Sequence, residues 1–329
     1  MNAIKSLAPG LLLATIVATA AQFITFRFGG PVMLIAILLG VALNFLNAQK
    51  RWTPGLVFAS KRVLQLGIVL LGAQLTIAEV LSLGLPTAII VILCVAATIS
   101  IGWWIGNRFG LSSDHAVLSA GAVAICGASA AMAFSSVLPQ TERSERNLIL
   151  TVVGVTTLST IAMVLYPPLT HFLGFSDTRA GIFIGATIHD VAQVIGAGYI
   201  ISDQAGETAA IVKLMRVAML APAILIVAAL FRGSSGSTGA ASRAVPLFLI
   251  GFGLVLAANS AGMISDDFRT LLSAASRWCL IIAVAGLGVR TSLKEISTLG
   301  PAPVSALIAQ TIFLALLGTG LIILIGPHA

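Results

Sequence analysis

Gly181-Ile-Phe-Ile-Gly-Ala-Thr-Ile-His-Asp-Val-Ala-Gln-Val-Ile-Gly-Ala-Gly-Tyr199 decides how this chain is read. The stretch has the length and apolarity of a membrane span, yet His189, Asp190 and Gln193 lie at its centre. An ionisable side chain in hydrocarbon costs roughly 2.5 kcal/mol or more and normally faces a cavity or a partner. Gly181, Gly185, Gly196, Gly198 and Thr187 bracket the polar residues, which predicts a helix that unwinds midway. Unwound backbone at membrane depth is tolerated only where protein buries it or where it lines a water-filled cavity. This is the expected centre of function.

The rest of the chain is a membrane protein in composition. Its 329 residues are 58% hydrophobic and 9% charged, whereas a soluble domain carries about 25% charged residues; mean hydropathy is +1.07. A helix of about 20 apolar residues crosses the ~30 Å hydrocarbon core. About eleven such segments can be placed: 10–26, 31–47, 61–80, 86–106, 115–138, 146–170, 180–200, 208–231, 245–261, 269–292 and 302–325. The expected fold is all-α and polytopic, a single integral membrane domain over 1–329 in the lipid bilayer. The run after Lys5 has no small-residue cleavage site leading into a soluble domain and reads as the first span. The net charge of +7 does not point to nucleic acid, because Lys and Arg lie between apolar runs in the positive-inside manner. Lys50, Arg51, Lys61 and Arg62 place their loop in the cytoplasm, and alternate loops favour a cytoplasmic N-terminus. Cys94, Cys126 and Cys279 sit in apolar runs without metal or disulfide spacing. No cofactor or metal is expected. The Gly/Ser-rich stretch 233–242 reads as a surface linker.

An internal repeat is visible. Pro31–Asn44, PVMLIAILLGVALN, aligns with Pro246–Asn259, PLFLIGFGLVLAAN. Gly72–Gly84, GAQLTIAEVLSLG, aligns with Gly288–Gly300, GVRTSLKEISTLG. The related regions are 31–84 and 246–300. The second and ninth segments lie seven apart, an odd number, so the copies are expected to be inverted, as in alternating-access secondary transporters.

A second glycine-rich element, Gly121–Ser136, reads GAVAICGASAAMAFSS. Small residues of this kind either let helices approach closely or mark an unwound helix whose N-terminal amides meet an anion. Cys126-Gly-Ala-Ser129 echoes Ile184-Gly-Ala-Thr187 and favours the second. Candidate substrate-binding residues are Gly127, Ala128, Ser129, Thr187, His189 and Gln193. On a continuing helix Gln193 would lie one turn beyond His189, on nearly the same face. His189 and Asp190 are the candidates for proton or ion coupling. Lys213 and Arg216, three residues apart, read as a basic flank or as charge that compensates Asp190 and attracts an anion. Arg290, which aligns with Gln74, either lines the pathway or caps a helix. Enzyme chemistry is not expected: His189-Asp-Val-Ala-Gln193 lacks the second His of a zinc site, and GxSxG and Walker motifs are missing.

These residues also carry a resemblance. FASKR at Phe58–Arg62, GIVLLG at Gly67–Gly72, AICGASA at Ala124–Ala130, IHDVAQV at Ile188–Val194, VKLMRV at Val212–Val217 and GLGVRTSL at Gly286–Leu293 resemble the YeiH-type sulfate exporter family over nearly the whole chain. The resemblance implies a multi-pass bacterial inner-membrane protein of the cation/proton antiporter and bile-acid transporter superfamily. It further implies a core domain with crossed, broken helices, a panel domain that often forms a homodimer, and a site at Gly127–Ser129 and Thr187–Gln193. The expected activity is secondary transport of a small anion, sulfate or an organosulfonate. The alternatives are a cation/proton antiporter with Asp190 as its carboxylate, and a non-transporting membrane sensor or scaffold.

Overall fold

The computed structural model describes residues 2–28, 32–139, 142–231, 247–291 and 301–327, and among them every regular element is a helix. The linker 233–242 lies outside the described residues, as does most of the second repeat arm beyond Thr291. In chain order the α-helices are α1 (Asn2–Phe28), α2 (Val32–Ala42), α3 (Thr53–Phe58), α4 (Leu64–Leu71) and α5 (Ile77–Ser82). Next come α6 (Gly84–Arg108), α7 (Ser113–Ala124), α8 (Ala128–Ser135), α9 (Ser144–Phe172), α10 (Asp177–Thr187) and α11 (Val191–Ile201). The last five are α12 (Asp203–Ala218), α13 (Leu220–Leu230), α14 (Leu247–Ser260), α15 (Asp266–Arg290) and α16 (Pro301–Ile325). Seven helices among the described residues are long and apolar enough to cross a membrane, with shorter apolar helices at Val32–Ala42, Val191–Ile201 and Ile250–Ser260. Helix satisfies backbone N–H and C=O groups within one segment, which is why hydrocarbon selects it. The protein is therefore a helical, multi-pass membrane protein.

Three expected segments change form. Residues 61–80 do not make one span: the helix runs Thr53–Leu71 through a π-helical turn at Ala59–Val63. It stops at Gly72, and α5 starts afresh with Ile77 N donating to Ser260 Oγ at 2.8 Å. Segments 115–138 and 180–200 are both interrupted, at 125–127 and at 188–190.

The chain folds into two compact units built from interleaved stretches. Unit 1 comprises Met1–Leu83, Ile195–Glu207 and Leu247–Ser292; unit 2 comprises Gly84–Val194, Thr208–Pro246 and Leu293–Ala329.

In unit 1, α15 packs against α1, α2 and α4, and α14 packs against α4. The aligned segments make reciprocal contacts. A Cβ on Gly288 would lie 2.6 Å from the carbonyl oxygen of Ile37, and one on Gly72 would lie 2.7 Å from that of Phe252. Gly72 aligns with Gly288, and Ile37 with Phe252. Aligned asparagines complete the pattern: Asn44 Nδ2 donates to Val289 O and Asn259 Nδ2 to Leu75 O, each at 2.9 Å. Small residues let these backbones approach, and the amides satisfy carbonyls near helix ends.

In unit 2, α6, α9 and α16 pack against α7 and α10, the first halves of the two interrupted segments. Close approach recurs here: a Cβ on Gly185 would lie 2.6 Å from the carbonyl oxygen of Ala209, which seats α10 directly on α12.

Candidate functional site

The candidate site is the place in unit 2 where the two interruptions meet. Helix α7 ends at Ala124, and the chain turns through Ile125, Cys126 and Gly127 before α8 begins. Gly127 has φ 58° and ψ −121°, a conformation that a residue with a Cβ adopts only under strain. Helix α10 ends at Thr187, Ile188 is extended, and α11 starts at Val191. A Cβ on Gly127 would lie 3.7 Å from His189 O and 3.8 Å from Asp190 Cβ, so the two breaks touch.

Four half-helix ends therefore converge: the carbonyl ends of α7 and α10 and the amide ends of α8 and α11. Lys213 and Arg216 on α12 serve the carbonyl ends. Lys213 Nζ donates to Ile125 O at 2.6 Å, to Ile188 O at 2.9 Å and to His189 O. Arg216 Nε donates to Ala124 O at 3.0 Å, and Nη1 to Gly185 O and Ile188 O at 3.0 and 2.9 Å. Its Nη2 donates to Val123 O and Ala124 O at 3.0 and 2.7 Å. All three ammonium protons and all five guanidinium protons thus have carbonyl acceptors. Both side chains are fully buried. The sequence reading of this pair as an exposed basic flank is corrected. The pair lies on the negative ends of two helix dipoles, and its three-residue spacing puts both heads on one face of α12.

The amide ends differ from each other. Asp190 Oδ1 accepts from Val191 N at 2.7 Å at the start of α11, and Asp190 N donates to Ser159 Oγ at 3.1 Å. At α8 the N-cap is Gly127, without a side-chain acceptor; Ala128 is half-buried and Ser129 is exposed. The echo between Gly127-Ala-Ser129 and Gly185-Ala-Thr187 is not a structural equivalence, because the first follows its break and the second precedes it.

The other predicted residues lie deeper. Thr187 is buried, and its hydroxyl donates to Phe183 O at 2.6 Å. His189 is fully buried, with Nε2 2.9 Å from Thr311 Oγ1. The Thr311 proton is used on Leu307 O at 2.8 Å, so the ring donates through Nε2. Gln193 Nε2 donates to Thr160 Oγ1 at 3.3 Å. His189 Nδ1 and Gln193 Oε1 are buried with no hydrogen-bond partner among the described residues. His189 precedes the first residue of α11, so the face it was expected to share with Gln193 on one continuous helix does not exist. Arg290 belongs to unit 1, where Nη1 donates to Ser60 Oγ at 2.7 Å. Sequence reasoning missed Ser159, Thr160 and Thr311. The hydroxyl-dense run Thr156-Thr-Leu-Ser-Thr160 was a usable signal for the first two, and the polar pair Gln310-Thr311 in an otherwise apolar stretch was one for the third.

Comparison with known proteins places the chain. The family described as Conserved hypothetical protein 698 matches residues 9–307. UPF0324 membrane protein TauZ of Paracoccus denitrificans is 44% identical over 320 residues, covering 96% of this chain and 95% of its own. A UPF0324 membrane protein of Chlorobaculum tepidum is 43% identical over 318 residues, covering 96% and 89%. One from Caulobacter vibrioides is 34% identical over 314 residues, covering 95% and 68%. This chain belongs to the Conserved hypothetical protein 698 family of multi-pass bacterial membrane proteins.

Proposed function

We propose that the protein is a secondary active transporter of a small anion, sulfate or an organosulfonate, and that the crossover of unit 2 is its binding position. The observation that carries this reading is the charge of the crossover. Each helix end contributes about half a charge, and two amide ends cancel two carbonyl ends. The formally charged side chains touching the breaks are then Lys213, Arg216 and Asp190, which leaves a net +1. A position of that sign, at the uncapped amide end of α8, suits an anion and disfavours a cation. This weighs against the cation/proton antiporter reading.

In this proposal the backbone amides at Ala128 and Ser129, with the Ser129 hydroxyl, receive the anion. Lys213 and Arg216 act from behind the backbone, fixing the break and supplying potential without touching substrate. Thr187 and Gln193 shape the wall. His189 takes up a coupling proton at Nδ1, the ring nitrogen left without a partner, and Asp190 holds the end of α11 and responds to that charge. Alternating access then exposes the crossover to each face of the inner membrane in turn.

The test is uptake of radiolabelled sulfate and ethanesulfonate into proteoliposomes, with and without a pH gradient. Saturable uptake of at least one is expected, reduced at least tenfold by Ser129→Ala and made independent of the gradient by Asp190→Asn or His189→Ala. Absence of saturable uptake of both anions would overturn the reading.

A further inference from the structure

Unit 1 contains a polar cavity of 390 Å³, within the size range of small-molecule sites. Tyr199, Asp203 and Glu207 line it from one side at four-residue spacing. Helical register survives the junction between α11 and α12 because Ser202 O accepts from Gly206 N at 3.0 Å and Ser202 Oγ from Ala205 N at 3.0 Å. The Tyr199 ring lies flat on Gly206, where a Cβ would come within 2.6 Å of it. Thr270, Ser273 and Arg277 line the cavity from α15 at spacings of three and four, which places them on one helix face. Gln74 adds an amide, and Met33 and Leu280 add apolar surface.

The charges select the occupant. Arg277 Nη2 pairs with Asp203 Oδ1, and Glu207 supplies a second carboxylate, so the lining has a formal charge of −1. A dianion such as sulfate would meet two carboxylates. A divalent metal would meet Arg277, and no group of three His, Cys, Asp or Glu side chains that could hold one occurs among the described residues. We infer that this cavity binds a small zwitterion, its ammonium group at Glu207 and Asp203 and its anionic group at Arg277 and the hydroxyls of Thr270 and Ser273. The guanidinium has five donors, and its pairing with Asp203 engages Nη2, so one arginine can serve both a carboxylate of the wall and the anionic end of a ligand.

The lining shares no residue with the crossover, so a direct binding measurement reads this cavity without relying on anion flux. The experiment is equilibrium dialysis of radiolabelled β-alanine against the purified full chain in detergent, with propionate and propylammonium as single-charge competitors. Saturable binding is expected, and each competitor should displace it at least tenfold more weakly than unlabelled β-alanine. Glu207→Gln and Arg277→Gln should each weaken binding at least tenfold. Ser273→Phe, which fills the cavity without altering charge, should abolish it while leaving the gel-filtration profile intact. Three results would overturn the inference: no saturable binding of β-alanine, glycine or γ-aminobutyrate; equal competition by either single-charge analogue; or binding unchanged in all three variants.

Discussion

Gly127 shows most directly how one residue sets the geometry of the crossover. At φ 58° and ψ −121°, a side chain there costs about 1–3 kcal/mol in backbone strain. The space itself is adequate, since the nearest atom to an added Cβ would be 3.6 Å away. Gly127→Ala should therefore lower the thermal midpoint in detergent by strain alone. Gly185→Ala should lower it by collision with the Ala209 carbonyl 2.6 Å away. Lys213→Met removes three buried hydrogen bonds, leaves Ile125 O and His189 O without this donor, and should cost on the order of 3 kcal/mol. Arg216→Leu removes five hydrogen bonds and should cost more. Thermal denaturation followed by circular dichroism orders these variants. In the sequence, Gly127, His189 and Asp190 stood out because glycine and ionisable residues are unusual at membrane depth. Lys213 and Arg216 were visible as residues but not as roles, since a basic pair near the start of a span reads as a flank. Only the fold reveals that six carbonyls wait for them.

At the level of helices, the interruptions at 125–127 and 188–190 were legible because glycine clusters with polar neighbours announce an unwound span. Their mutual contact was not, because nothing local encodes which break meets which. The end of the helix at Leu71 was hidden for a related reason: the apolar run continues past Gly72, and what stops the helix is a glycine seated on the backbone of Phe252. The reciprocal contacts of the aligned segments give a direct test. Gly72→Val and Gly288→Val remove equivalent close approaches and should destabilise unit 1 to a similar degree. Asn44→Ala and Asn259→Ala should each cost about 1 kcal/mol through one lost hydrogen bond. Markedly unequal losses within either pair would argue against structural equivalence of the copies.

For the molecule as a whole, the membrane class was readable from composition, whereas the division into two units built from interleaved stretches was not. Apolar helices look alike in sequence whichever unit they join, and the pairing of distant stretches is a property of packing. A sided labelling measurement tests the arrangement of unit 1. In unit 1, Asp203 and Glu207 of α12 and the stretch from Thr270 to Arg277 of α15 line the same cavity, so single cysteines at Gln204 and Thr270, introduced into a cysteine-free variant, should react with an impermeant maleimide from the same face of intact membrane vesicles. Labelling from opposite faces would contradict the arrangement.

The burial of Lys213 and Arg216 also has a consequence for how the protein is made. The carbonyls they satisfy lie between Val123 and His189, on segments that leave the ribosome before α12 does. Until α12 is synthesised and enters the bilayer, those carbonyls have no cations to hold them, and both interrupted helices are unfinished. The nascent chain must be sheltered over that interval by the insertion machinery or by water at the membrane surface. Chains released shortly before Lys213 should therefore be degraded quickly, whereas chains released beyond Leu230 should survive long enough to be detected by pulse-chase.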